Sequence, residues 1–202
     1  VSREKVRHVP QLENIIRFVA DNVGKPVSVT NIVRYMTSKG EKISEETVSN
    51  YLKYLRDAFL AMPIKRFDIH GKVLLEANNK HYFSDHGIRN YLCGSDIRGS
   101  IEKVMENVVW NHLRRQGFEV TVGILRAGEI DFVATKADRR IYVQVTYLLA
   151  SDDTVKREFG NLAAIKDNYP KLVVSLDPVS GGFSEYPGIE HVHLRDFLKT
   201  AL

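Results

Sequence analysis

Apolar residues recur at helical spacing in Gln11 to Val23, where Leu12, Ile15, Ile16 and Val19 share a face before Gly24 and Pro26 break the pattern. The stretch from Ser28 to Gly40 repeats that logic. Either Ser28 or Thr30 can cap, Ile32, Val33 and Met36 form a stripe, and Gly40 terminates. A third helix is predicted to open at Ser44, with Val48, Leu52, Leu55 and Phe59 inward and Ser49, Asn50, Lys53, Tyr54 and Arg56 outward. "MPIKRFDI" and "KHYFSD" read as strands around the turn "HGK", and "DHGIRNYL" as a short helix.

Three helices followed by a strand pair is the layout of a winged helix, predicted for residues 1–94. Small residues in "CGSDIRGS", residues 93–100, make the natural linker, with the boundary near Ser95. Beyond it the pattern predicts a helix from Ser100 to Gly117, with Trp110 opposite the apolar stripe and so marking a contact with the first domain or another chain. Strands follow in "FEVTVGIL", "EIDFVATK" and "RIYVQVTY", the last two joined by "KADRR". Val155, Phe159, Leu162 and Ile165 predict a helix over 154–168, "KLVVSL" a buried strand, and "IEHVHL" with "RDFLKTAL" a closing strand and helix. Residues 95–202 thus form an αβββαβ unit with a βα tail, a mixed sheet covered by helices, and the fold class is α/β, or α+β overall.

Composition adds little to this division, but charge does. The formal net charge is +4 over 202 residues. Residues 1–94 hold 15 Lys and Arg against 10 Asp and Glu, and the remainder 14 against 15, so the basic excess lies in the first domain. No apolar run is long enough to span a bilayer, and the expected setting is the cytoplasm without membrane attachment. Cys93 is the only cysteine, which excludes an internal disulfide and cysteine-rich zinc sites; it is expected to be a small buried hydrophobe.

The αβββαβ order, with an acid in the second strand and a polar pair in the third, resembles the PD-(D/E)XK nuclease-like core of restriction endonucleases and archaeal Holliday junction resolvases. Five ordered stretches, "MENVVWNHLRRQGFEVTVG", "GEIDFVAT", "IYVQVTYLLAS", "TVKREFGNLAAIKDNYPKLVVSLD" and "GIEHVHLRDFL", look like the C-terminal domain of unknown function of prokaryotic AAA-type ATPases. This resemblance implies an ATPase module followed by a winged helix and a nuclease-like region. No G-x-x-x-x-G-K-[ST] occurs here, so ATP is not expected to bind this chain, which is expected to be a C-terminal piece whose partners are DNA and the upstream ATPase module, with oligomerisation an open question.

Nucleases of this type hold Mg²⁺ or Mn²⁺ between carboxylates, and a lysine stabilises charge. Here Glu106 on the long helix, Asp131 and Gln144 are the residues expected to converge, with Asp131 and Gln144 as metal ligands and Thr146 in place of the lysine. A neutral carbonyl is a weaker ligand than a carboxylate, and Thr146 carries no charge. Three readings follow: an inactive scaffold, an altered metal-dependent deoxyribonuclease, or another use of the pocket. Lys156 or Arg157 could lend the missing positive charge. For DNA, Ser49, Asn50, Lys53 and Tyr54 would enter the major groove while Lys65, Arg66, His70 and Lys72 contact phosphates. The alternative is a non-catalytic protein-interaction or regulatory module of the ATPase. His191 and His193 are expected to pack rather than ligate.

Overall fold

A computed structural model describes residues 6, 8–94, 100–126, 128–178, 181–182 and 185–202. Seven helices and a mixed sheet of eight strands are present among the described residues. They divide into two compact units, Val1–Ile64 with Ala77–Ile97, and Lys65–Glu76 with Arg98–Leu202. The linker and boundary expected near Ser95 fall largely outside the described residues. What a single cut there does not anticipate is the segment 65–76, the far end of the hairpin, which groups with the second unit.

The first unit contains α1 (Val9–Asp21), α2 (Val29–Ser38), α3 (Glu45–Asp57), α4 (His86–Cys93) and the near ends of strands β1 (Ala61–Asp68) and β2 (Val73–Phe83). Helices α2 and α3 start where hydroxyls cap them. Ser28 Oγ accepts from Asn31 N at 3.1 Å and Ser44 Oγ from Thr47 N at 3.1 Å, each satisfying one of the donors a helix start leaves open. Ile15, Val19, Ile32, Met36, Val48, Tyr51 and Leu55 are buried and make the core, each side chain contributing about 1.5–3 kcal/mol. Arg89 of α4 donates from Nε to Ala20 O at 3.1 Å, tying α4 to the end of α1.

Two expectations fail in this unit. Phe59 does not join the core. The α3 helix ends at Asp57 with Ala58 as its cap, so Phe59 falls in the left-handed region (φ 54) and is 73% exposed. Cys93 sits in the last turn of α4 and is only half-buried.

The second unit contains α5 (Ile101–Arg115), β3 (Glu119–Ile124), β4 (Glu129–Lys136), β5 (Arg139–Val145), α6 (Asp152–Ala163), β6 (Lys171–Ser175), β7 (Gly181–Gly182), β8 (Ile189–His193) and α7 (Leu194–Phe197). Strand order in the sheet is β2-β1-β3-β4-β5-β6-β8-β7. β3, β4 and β5 run antiparallel in sequence, whereas β5, β6 and β8 are parallel. The hairpin end joins through a parallel pairing of β1 with β3 that sets Arg66 opposite Val122 and Asp68 opposite Ile124. Trp110, expected opposite the apolar stripe of its helix at a contact with the first domain or another chain, is buried within the chain itself.

On the α6 side the core gathers Ile69, Ile130, Val133, Tyr142, Phe159, Leu162, Ile165, Val173 and Ile189. Gly123 permits that packing. A Cβ there would meet Ile69 Cδ1 at 2.8 Å, Val133 Cγ2 at 2.8 Å and Ile130 Cβ at 3.0 Å, beside the irregularity in the pairing of β3 with β4. The closing helix is shorter than the expected "RDFLKTAL", spanning Leu194–Phe197.

Candidate functional site

Alternation along β5 puts Gln144 and Thr146 on the face of Tyr142, which packs toward α6. The antiparallel register of β4 with β5 ends at Phe132 opposite Val143, and hydrogen bonds carry the contact on to Asp131 and Gln144. The two side chains bind each other's strand. Asp131 N donates to Gln144 Oε1 at 3.2 Å, and Val145 N donates to Asp131 Oδ2 at 2.8 Å. Asp131, Gln144 and Thr146 are all buried, and among the described residues Thr146 Oγ1 has no hydrogen-bond partner.

The α6 helix brings further charge to this face. Its start is capped by Ser151, whose Oγ accepts from Thr154 N at 3.2 Å, and Asn161 Nδ2 donates to Glu129 O at 3.3 Å, anchoring the helix beside the first residue of β4. Glu158 is buried, and its Oε1 accepts from Arg157 Nε at 2.8 Å and Nη2 at 2.6 Å. Glu158 Oε2 has no partner among the described residues. The side chain of Arg157 is 63% exposed, and its guanidinium is held more firmly protonated, first by its bond to Glu158 and further by the charges of Glu102 and Asp131. Tyr147 N lies 3.5 Å from Glu102 Oε1, which links the start of α5 to the end of β5.

Of the residues expected to converge, Asp131 and Gln144 are joined by a hydrogen bond, and Thr146 follows Gln144 by two residues on the same side of the chain. Glu106 lies half-buried on α5, and Glu102, one turn earlier, is the α5 acid whose charge reaches Arg157. Arg157 is brought to the site, while Lys156 is exposed beside it. Glu158 was missed by sequence reasoning, although a signal exists: it follows Val155 by three residues and precedes Leu162 by four, on the helix's inward stripe.

A divalent cation at this face would use oxygen donors alone: two carboxylates, an amide carbonyl and a hydroxyl, with one carboxylate oxygen and the hydroxyl lacking hydrogen-bond partners among the described residues. That donor set suits a hard ion such as Mg²⁺ or Mn²⁺. Among the described residues no group of three or more His, Cys, Asp and Glu side chains is arranged to hold a metal, so such an ion would complete its shell with water or ligand oxygens.

The residues expected at DNA separate into two sets. Ser49, Asn50 and Lys53 are exposed on α3 and Tyr54 is half-buried, its ring 6.0 Å from that of Tyr51. Lys65, Arg66, His70 and Lys72 belong to the second unit. Arg66 is half-buried on β1, and His70 N and Gly71 N both donate to Asp68 Oδ1 at 3.0 Å, fixing the turn that leaves Lys72 exposed. His191 and His193 are used structurally. The buried His191 has Nε2 2.8 Å from Ser175 Oγ, and Arg195 N donates to His193 Nδ1 at 3.1 Å.

Residues 2–98 match a family described as a domain of unknown function (DUF8612). Over 199 residues the chain is 37% identical to an uncharacterised protein of Haemophilus influenzae, an alignment covering 97% of this chain and 48% of that protein. It is 26% identical over 172 residues to an uncharacterised protein of Methanocaldococcus jannaschii, covering 83% of this chain and 37% of that one. The chain thus spans about half the length, or less, of these curated relatives. No solved structure matches it. No helix among the described residues is long and apolar enough to cross a membrane.

Proposed function

We propose that this chain is the DNA-binding C-terminal region of a larger cytoplasmic AAA-type ATPase, a winged helix joined to a nuclease-like unit whose cleavage site is altered. The observation that carries the reading is α3, which buries Val48, Tyr51 and Leu55 and turns Ser49, Asn50 and Lys53 to solvent. Short polar and basic side chains on an exposed helix face are what a major groove accepts. The greater length of the relatives agrees with an additional module. Gln144 and Thr146, in place of an acid and a lysine, support a site that cleaves poorly or not at all.

A second reading is a protein-interaction module that controls the ATPase. It is favoured by Phe59, Ile88 and Tyr91, which are 73%, 42% and 86% exposed. DNA binding measured across salt concentrations separates the two: the DNA reading requires affinity at low salt that falls as salt rises. Cleavage is tested by incubating DNA with Mg²⁺ or Mn²⁺ and comparing wild type with Asp131→Ala, since equal cleavage by both assigns the activity to a contaminant.

A further inference from the structure

Glu158 has no role in the reading above. It is 3% exposed on a helix that packs over the sheet, and among the described residues only one of its carboxylate oxygens is bonded. A buried carboxylate oxygen without a donor is costly unless a cation or a polar ligand meets it. Thr146, just past β5 and 1% exposed, leaves its buried Oγ1 in the same position among the described residues. Arg157 does not relieve either atom, because its two hydrogen bonds to Glu158 both end on Oε1. Arg157 also stands as one positive charge within reach of three negative ones, on Glu102, Asp131 and Glu158. Such a field repels a free phosphate and draws in a cation.

We propose that Glu158 acts with Asp131 as the second carboxylate of a divalent-cation site, with Gln144 and Thr146 as neutral oxygen donors and Arg157 as the charge that the cation competes against. The acid absent from position 144 of β5 is thereby supplied from α6. The inference rests on reading Asp131 as the acid of the nuclease-like site, and it is independent of DNA binding by α3.

The test is Mn²⁺ binding by the full chain without DNA, followed through the electron paramagnetic resonance signal of free Mn²⁺. Wild type is expected to bind Mn²⁺ saturably, and Glu158→Gln to weaken that binding by about 10-fold or more. Arg157→Gln, a change at an exposed side chain, is expected to tighten it. Absence of saturable binding by wild type overturns the proposal, as does unchanged affinity in a folded Glu158→Gln protein. Should Glu158→Gln fail to fold, Arg157→Gln decides, and unchanged or weaker Mn²⁺ binding in that variant overturns the proposal. Absence of Mn²⁺ binding by wild type with DNA affinity intact defeats this inference alone. Intact Mn²⁺ binding without DNA affinity defeats the α3 reading alone.

Discussion

On α3 the polar side chains Ser49, Asn50 and Lys53 stand in solvent above a buried row of Val48, Tyr51 and Leu55, whereas on β4 and β5 the polar side chains Asp131, Gln144 and Thr146 are themselves inside. The difference lies in what each set must satisfy. Solvent hydrates the α3 residues, so they place almost no demand on the fold. The sheet residues must find partners within the protein: Gln144 accepts from the backbone N–H of Asp131, and Asp131 from that of Val145. Substitution on α3 should therefore change binding without changing stability, while substitution on β4 or β5 should change both.

The largest expected effect comes from the packing that carries α6. Phe159 is fully buried, and Phe159→Ala should destabilise the second unit by about 3–5 kcal/mol. Trp110, the chain's single tryptophan, lies on α5 in that unit, so its fluorescence during urea unfolding reads the loss directly. DNA affinity measured well below the unfolding range should stay unchanged if α3 alone carries it.

His81 is where the first unit departs from the comparison. Burial lowers its pKa from 6.5 to about 4, so the folded state keeps it neutral where the unfolded chain takes up a proton. Its stability contribution is complete above pH 6.5 and is lost as pH falls toward 4, amounting to about 3 kcal/mol. Urea melts at pH 7 and pH 4 should show that loss in wild type, and His81→Leu should reduce it.

Asp131→Ala removes the acceptor of the buried Val145 N–H and should cost about 2–3 kcal/mol in the Trp110 melt. Asp131→Asn, whose amide oxygen can still accept, should cost less. Equal losses would mean that the carboxylate's charge, not the backbone bond, sets its structural role. Smallest is Ser44→Ala at the start of α3, expected to cost about 1 kcal/mol in the first unit by circular dichroism during thermal unfolding.

Much of the fold was legible because local rules and tertiary packing agree. Ser28 and Ser44 cap the helices they precede, and "EIDFVATK" is the whole of β4. Phe59 was misplaced because an apolar residue in helical phase says nothing about a helix that stops two residues earlier. Joining the hairpin end to β3 is a long-range pairing of Arg66 with Val122 that no local pattern encodes. In the candidate site Gln144 follows from alternation along β5, whereas β4 departs from it: Ile130 packs into the same core as Val133 beside the register shift with β3. Glu158 was harder to read, since a Glu beside an Arg on a helix ordinarily signals a solvated face.

The most direct test of the central claim is a salt titration of duplex DNA binding by wild type and by Lys53→Ala. The account predicts binding by wild type at low salt with a log–log salt dependence, and weaker binding by Lys53→Ala at every salt concentration with unfolding unchanged. No DNA binding by the folded wild-type chain at low salt, or identical affinity and slope in both proteins, would contradict it.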